Sequence, residues 1–146
     1  MAGPLPDKGD PKTIYVIDIS SYVFRAYPAL PPLSNSKGEP TQAVAGVASM
    51  LLKLAREREP HAVIVAMDSR EGSFRKELFE AYKANRPPAP PDLAQQMARV
   101  REIVEAWGMH PIEAPGFEAD DIIATLVKAA READKRVVIV SADKDL

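Results

Sequence analysis

The sequence contains no cysteine, which removes disulfides and thiolate metal sites from consideration and fits a reducing compartment. It has only two histidines, His61 and His110. Both stand at the starts of expected strands, so neither is given a catalytic role. No stretch approaches the roughly 20 apolar residues that a membrane helix needs. The opening M-A-G-P-L-P-D-K-G-D-P-K has no apolar run of the secretory kind. Its Pro, Gly and charge leave little to bury, so residues 1–12 are expected to form a disordered tail. No G-x-G-x-x-G or phosphate-binding loop occurs, so nucleotide-cofactor readings have no support. A net charge of −2 does not announce a nucleic-acid binder either.

The 146 residues are enough for one domain with a real core, and 46% apolar with 27% charged residues is ordinary for a globular chain. T-I-Y-V-I-D (13–18), A-V-I-V-A-M-D (62–68) and R-V-V-I-V-S (136–141) are continuous β-branched runs. Continuous rather than alternating runs suit strands buried on both faces of a parallel sheet. P-I-E-A (111–114) is a candidate short edge strand. Helical patterns lie between these runs. Thr41 is placed to cap a helix carrying Val44, Val47, Leu51, Leu54 and Ala55 on one face. Asp92 is placed to cap a second, with the stripe Leu93, Met97, Val100, Val104 and Trp107, stopped by Gly108. Ile122, Ile123, Leu126, Val127 and Ala130 form the apolar side of a third. Strands alternating with helices predict an α/β domain around a mostly parallel sheet flanked by helices.

Charge is unevenly placed. Arg70, Arg75, Lys76, Lys83 and Arg86 stand against three Glu in one segment, whereas 113–121 holds four acids and no base. Asp18 and Asp68 close the first two strands, and Asp143 and Asp145 follow the last. The helix beginning near Glu118, with Asp120 and Asp121 in its first turn, starts at the same edge of a parallel sheet. That edge is where open α/β sheets bind ligands. Each acid alone has a plain structural role, as a turn residue or as a partner of a helix dipole. Together, seven carboxylates would repel and raise one another's pKa values unless a cation is present. An all-carboxylate set without histidine suits a hard divalent ion such as Mg²⁺ rather than zinc. Room for two ions matches the chemistry of phosphodiester hydrolysis.

The blocks I-D-I-S-S-Y-V-F-R-A-Y, N-S-K-G-E-P-T-Q-A-V-A-G-V, F-R-K-E-L-F-E-A-Y-K-A-N-R-P-P, G-F-E-A-D-D-I-I-A-T-L and S-A-D-K-D occur in this order. In them the chain resembles the N-terminal part of the 5′-nuclease family. That family includes the 5′→3′ exonuclease domain of bacterial DNA polymerase I and the flap endonucleases, on a PIN-like (resolvase-like) fold. The resemblance runs from Ile14 to Leu146. It implies metal-dependent hydrolysis of DNA near 5′ ends, in replication and repair. Asp18, Asp68, Glu118, Asp120, Asp121, Asp143 and Asp145 become the acids for Mg²⁺ or Mn²⁺, with two ions in the complete family fold. Arg25, Arg75, Tyr82, Lys83 and Arg86 become DNA contacts, with Lys83 and Arg86 orienting the scissile phosphate as catalytic residues. A ring beside two cations fits a base-stacking and phosphate-binding role independently.

The implied partners are DNA with a 5′ flap, nick or 5′ end and the rest of a polymerase I-like chain, with no membrane. The implied location is the bacterial cytoplasm, at the nucleoid. Residues 13–146 are expected to be the domain's N-terminal portion. The family's later G-D-x-x-D-N motif, with two more metal ligands, and its helix–hairpin–helix element are not in this sequence. The rival reading is a catalytically inactive DNA- or metal-binding fragment. A receiver-type signalling domain fits poorly, because D-I-S-S follows the first strand and D-D opens a late helix.

Overall fold

The structure is a computed structural model and describes residues 5–29, 34–38, 40–68, 91–109 and 111–142. Four strands, β1 (Thr13–Asp18), β2 (Ala62–Ala66), β3 (Pro111–Ile112) and β4 (Arg136–Val140), form one sheet in the order β3-β2-β1-β4. All three pairings are parallel, with Ile17 opposite Val65 on one side and Val140 on the other. Four helices are described: α1 (Ile19–Ala29), α2 (Gln42–Arg58), α3 (Pro91–Ala106) and α4 (Ala119–Glu132). The expected α/β architecture with a parallel sheet is therefore what forms.

The sheet separates two cores of unequal size. On one face Ile17, Val65 and Met67 pack with Val23 of α1, Val47 and Leu51 of α2, and Leu93, Val100 and Val104 of α3. On the other face, among the described residues, Val16 and Ala66 pack against Ala119, Ile122 and Ile123 of α4. Successive residues of β1 thus serve opposite faces, and both need apolar side chains. This explains the unbroken run T-I-Y-V-I.

Helix ends show where local signals were overruled. Thr41 takes the N-cap position of α2 but makes no side-chain cap bond. Instead Gln96 Oε1, from α3, accepts the Ala43 backbone N–H at 2.6 Å, so the cap comes from another helix. Helix α3 begins at Pro91, which puts Asp92 inside its first turn rather than at the cap. Its end follows expectation: Gly108 takes φ +80°, with Met109 N–H bonded to Val104 O and Gly108 N–H to Glu105 O. Trp107 lies within this terminal turn and is 45% exposed, so it leaves the apolar stripe on which the sequence placed it. Ala55 of α2 is likewise exposed.

Residues 5–12 run beside the end of α2. Pro6 is buried, and its carbonyl accepts from the Arg58 guanidinium, which also donates to Tyr15 Oη at 3.0 Å. Gly9 N–H bonds to Arg58 O, and Lys8 pairs with Glu59 at 3.7 Å. Polar anchors rather than apolar burial hold this segment against the end of α2, which composition alone does not reveal. Arg58 is the centre of that anchor.

Candidate active site

In a parallel sheet the C-terminal strand ends share one edge, and α1 starts there directly from β1. Asp18 closes β1 and serves as the N-cap of α1: its Oδ1 accepts the Ser21 N–H at 3.3 Å, and its backbone oxygen accepts Ser21 Oγ–H at 2.9 Å. Its Oδ2 accepts the Ser141 hydroxyl at 3.3 Å from the end of β4. Asp18 is 4% exposed. Burial pushes its carboxyl up to about 6, and the nearby charges of Asp120 and Asp68 push the same way against the hydrogen bonds. Asp18, Asp68 and Asp120 therefore do share one neighbourhood, as the topology predicts.

Asp68 follows β2. Its Oδ1 accepts the Ala119 N–H at 2.8 Å, which caps α4 from a neighbouring strand, and its own N–H is held by Ser20 Oγ at 3.1 Å. At the start of α4, Asp121 Oδ2 accepts the Glu118 N–H at 3.0 Å, one half of a capping box. Gly116, at φ +82°, makes the turn from β3 into this helix. Asp120 is exposed in the first turn. The plain structural role thus accounts for part of what Asp68, Glu118 and Asp121 do. Asp120 shares that first turn, and Asp18 is set apart by a buried carboxyl that is raised first by its burial and then by Asp120 and Asp68.

Arg25 is exposed on α1 and donates to Ala142 O at 3.3 Å, so it stands at this edge. Tyr22, one turn from Asp18, is half-buried and packs on the larger core, whereas Phe24 is 51% exposed. His61 is exposed and precedes β2, at the opposite edge from the acids. Arg75, Tyr82, Lys83, Arg86, Asp143 and Asp145 lie outside the described residues, as do Arg70 and Lys76. Among the described residues, no three acids stand ready as a closed cation cage.

Sequence reasoning missed the hydroxyls. Ser20 reaches the end of β2, and Ser21 reaches the end of β4, where Ala142 N–H donates to its Oγ at 3.0 Å and Ser141 Oγ lies 3.3 Å away. Neighbouring helix residues project about 100° apart, so one Ser-Ser pair can serve strands on both sides of β1. The available signal was the D-x-x-S spacing of Asp18 and Ser21, an N-terminal helix pattern.

Fold and edge together define a resolvase-like α/β domain with an acidic strand-end site. Residues 13–146 match the family model described as 5′-3′ exonuclease, N-terminal resolvase-like domain, and the chain belongs to that family. It is 45% identical over 145 residues to DNA polymerase I of Deinococcus radiodurans, covering 99% of this chain and 15% of that protein. It is 42% identical over 135 residues to a 5′-3′ exonuclease of Aquifex aeolicus, covering 92% of this chain and 47% of that protein. The chain therefore spans less than half the length of these relatives. Among solved structures, T5 D15 protein co-crystallized with metal ions superposes with a TM-score of 0.68 at 22% identity, covering 91% of this chain and 50% of that one. A bacteriophage T5 D15 flap endonuclease in a pseudo-enzyme-product complex with DNA and metal ions gives 0.61 at 24% identity, over 90% and 49%. These two likenesses establish the shared fold.

Proposed function

We propose that this chain is the acid-site portion of a metal-dependent 5′→3′ exonuclease or flap endonuclease. It would hydrolyse DNA phosphodiester bonds near 5′ ends in replication and repair, in the bacterial cytoplasm. The observation that carries this reading is the meeting of Asp18, Asp68 and Asp120 at one sheet edge, with the Asp18 carboxyl raised by its burial and, to a lesser degree, by the other two. Such an edge calls for positive charge.

The donor set fits a hard divalent cation, because it consists of carboxylate and hydroxyl oxygens. Asp18, Asp68, Glu118, Asp120 and Asp121 would hold Mg²⁺ or Mn²⁺. Asp143 and Asp145, two positions beyond the Ser141 that contacts Asp18 and four beyond it, are assigned to the same set by resemblance. When bound, such ions supply Lewis acidity toward the scissile phosphate and make water more acidic. The chain's own cations have a separate task. Lys83 and Arg86 orient the phosphate, Tyr82 stacks on a base, and Arg25 and Arg75 contact the backbone of a flapped or nicked DNA. The rest of a polymerase I-like chain is the proposed covalent partner.

A second reading, a fragment that binds metal or DNA without turnover, is favoured by one observation. Asp68, Glu118 and Asp121 already serve helix starts, and the described acids form no closed cage. Incubating the purified chain with 5′-flap DNA and a blunt duplex, under Mg²⁺, Mn²⁺ or EDTA, separates the two. Metal-dependent cutting near the flap junction, lost in an Asp120→Asn/Asp121→Asn variant, is the expected result. A folded chain that never cuts would sink the nuclease reading in favour of the fragment.

A further inference from the structure

Asp68 lies two residues past the last β1–β2 pair, in which Asp18 stands opposite Ala66. Strand β1 ends there, and the chain continues as α1 from Ile19. Successive strand residues send their N–H groups to opposite neighbours. Met67 N–H goes to Ile112 O of β3 at 2.9 Å, so the Asp68 N–H faces the β1 side. Ser20 Oγ, from the first turn of α1, accepts it there at 3.1 Å. Ser20 is 2% exposed, and its hydroxyl adds one rung to the ladder where the strand backbone has run out.

Asp68 passes this constraint on. Its Oδ1 accepts the N–H of Ala119, the first residue of α4, at 2.8 Å. The bond from Glu118 N–H to Asp121 Oδ2 ties the helix start to itself, whereas the Ala119 bond ties it to the sheet. Ala119 is buried against Val16 and Ala66, and Asp120 is the next residue. Three elements are thus linked in series: α1 through Ser20, the end of β2 through Asp68, and the start of α4 through Ala119.

We infer that Ser20 is a positioning residue: by accepting the Asp68 N–H it fixes the strand end from which Asp68 holds α4, and so sets the separation between Asp68 and Asp120. The inference rests on the cation reading of this edge and deepens it. An ion is bound best by oxygens already held at the right spacing, because an unheld ligand spends binding energy on becoming ordered.

Two plainer accounts predict otherwise. If Ser20 only satisfies a backbone N–H, its loss lowers stability and leaves the cation affinity of the folded chain unchanged. If the Ala119 N–H acts only by drawing on the negative charge of Asp68, deleting it should tighten cation binding. Positioning predicts weaker binding in both cases. Ala119 allows that deletion. It is the first helical position, which accepts proline, and Glu118 before it has φ −88° and ψ 164°, the extended backbone that suits a residue preceding proline. Ala119→Pro removes the N–H and no carboxylate. Ala119→Gly keeps the N–H and loses a buried methyl, so it controls for packing.

The experiment is calorimetric titration of Mn²⁺ into metal-free protein, without DNA, for wild type, Ser20→Ala, Ala119→Pro and Ala119→Gly, each checked for folding by circular dichroism. Amide hydrogen exchange at Ala119 is read against that at Val65, in mid-sheet, in the same samples. Ser20→Ala and Ala119→Pro should each weaken Mn²⁺ binding by about tenfold or more. Ala119→Gly should keep wild-type affinity. In Ser20→Ala the Ala119 amide, two hydrogen bonds away, should exchange faster while Val65 does not. Unchanged or tighter Mn²⁺ binding by folded Ser20→Ala overturns the inference, whatever its melting temperature. Should Ser20→Ala fail to fold, the two Ala119 variants decide, and equal affinity in them overturns it. If wild type binds no Mn²⁺, the cation reading fails. Exchange at Ala119 then judges the linkage separately: faster exchange in Ser20→Ala upholds it, and unchanged exchange removes it.

Discussion

Asp10 and Asp18 stand at opposite ends of β1 and are shifted in opposite directions. Asp10, three residues before the strand, accepts Thr13 Oγ1–H at 2.7 Å and Lys12 N–H at 3.1 Å, and these bonds hold its carboxyl below the usual range. Asp18, the last residue of the strand, is pushed up to about 6 by burial and by Asp120 and Asp68. The end with Asp10 also holds the Arg58, Tyr15 and Pro6 anchor, where each charge meets a partner that suits it. One end of the sheet uses charge to hold the fold. The other concentrates like charge at some expense in stability, which is what a site for an external cation requires.

The largest effect that could break this contrast is cation linkage. Mn²⁺ at a hundredfold excess over its Kd should stabilise the wild-type chain by about 2.7 kcal/mol. The Asp18→Asn variant should show little of this gain in thermal melts. Equal stabilisation of both proteins would place the cation elsewhere.

Arg58→Met probes the other end. Losing the guanidinium leaves Tyr15 Oη and Pro6 O without this donor and should cost about 2 kcal/mol in urea unfolding. Mn²⁺ binding and flap cleavage should stay at wild-type levels. A loss of cation affinity in this variant would show that the two ends are not separate.

The smallest effect is the sharpest. The folded-state pKa of Asp18 lies above the ordinary 3.8, so between about pH 4 and 6 the folded chain keeps a proton that the unfolded chain has lost. Stability from this group falls as pH rises through that window. Asparagine keeps Oδ1 as acceptor for the Ser21 N–H, turns the second contact round so that its Nδ2 donates to Ser141 Oγ, and carries no charge. In metal-free buffer, Asp18→Asn should therefore gain on wild type by about 1–2 kcal/mol from pH 4 to pH 7, a two-unit shift discounted for solvent screening. For Asp10 the sign reverses. Its lowered pKa stabilises the fold above 3.8, and the gain is lost as pH falls through the folded value. Asp10→Asn should thus trail wild type at neutral pH and converge with it in acid. Urea titrations across this range that give both variants the same sign would refute the contrast.

Much of the architecture was legible in the chain. The β-branched runs are the strands, and Ile122, Ile123, Leu126 and Val127 do face the smaller core, while Ala130 is buried. The acids Asp18, Asp68 and Asp120 could be brought to one edge by topology alone, because parallel strands end together. What misled was local chemistry. Thr41 and Asp92 have the right residue type for caps, yet Gln96 accepts the Ala43 N–H in the first turn of α2, and α3 already begins at Pro91. Trp107 fits a helical period but falls where Gly108 unwinds the helix.

Periodicity and residue type, which act within a few residues, determined the elements, their order and the candidate acids. Only the tertiary structure decided the contacts that span the chain. These include Asp68 capping α4 across 51 residues, Arg58 fastening a segment 52 residues before it, and Ser21 and Arg25 holding Ala142 from 121 and 117 residues away. Such pairings depend on which strand ends the sheet order sets side by side, and no local pattern in the sequence encodes that distance.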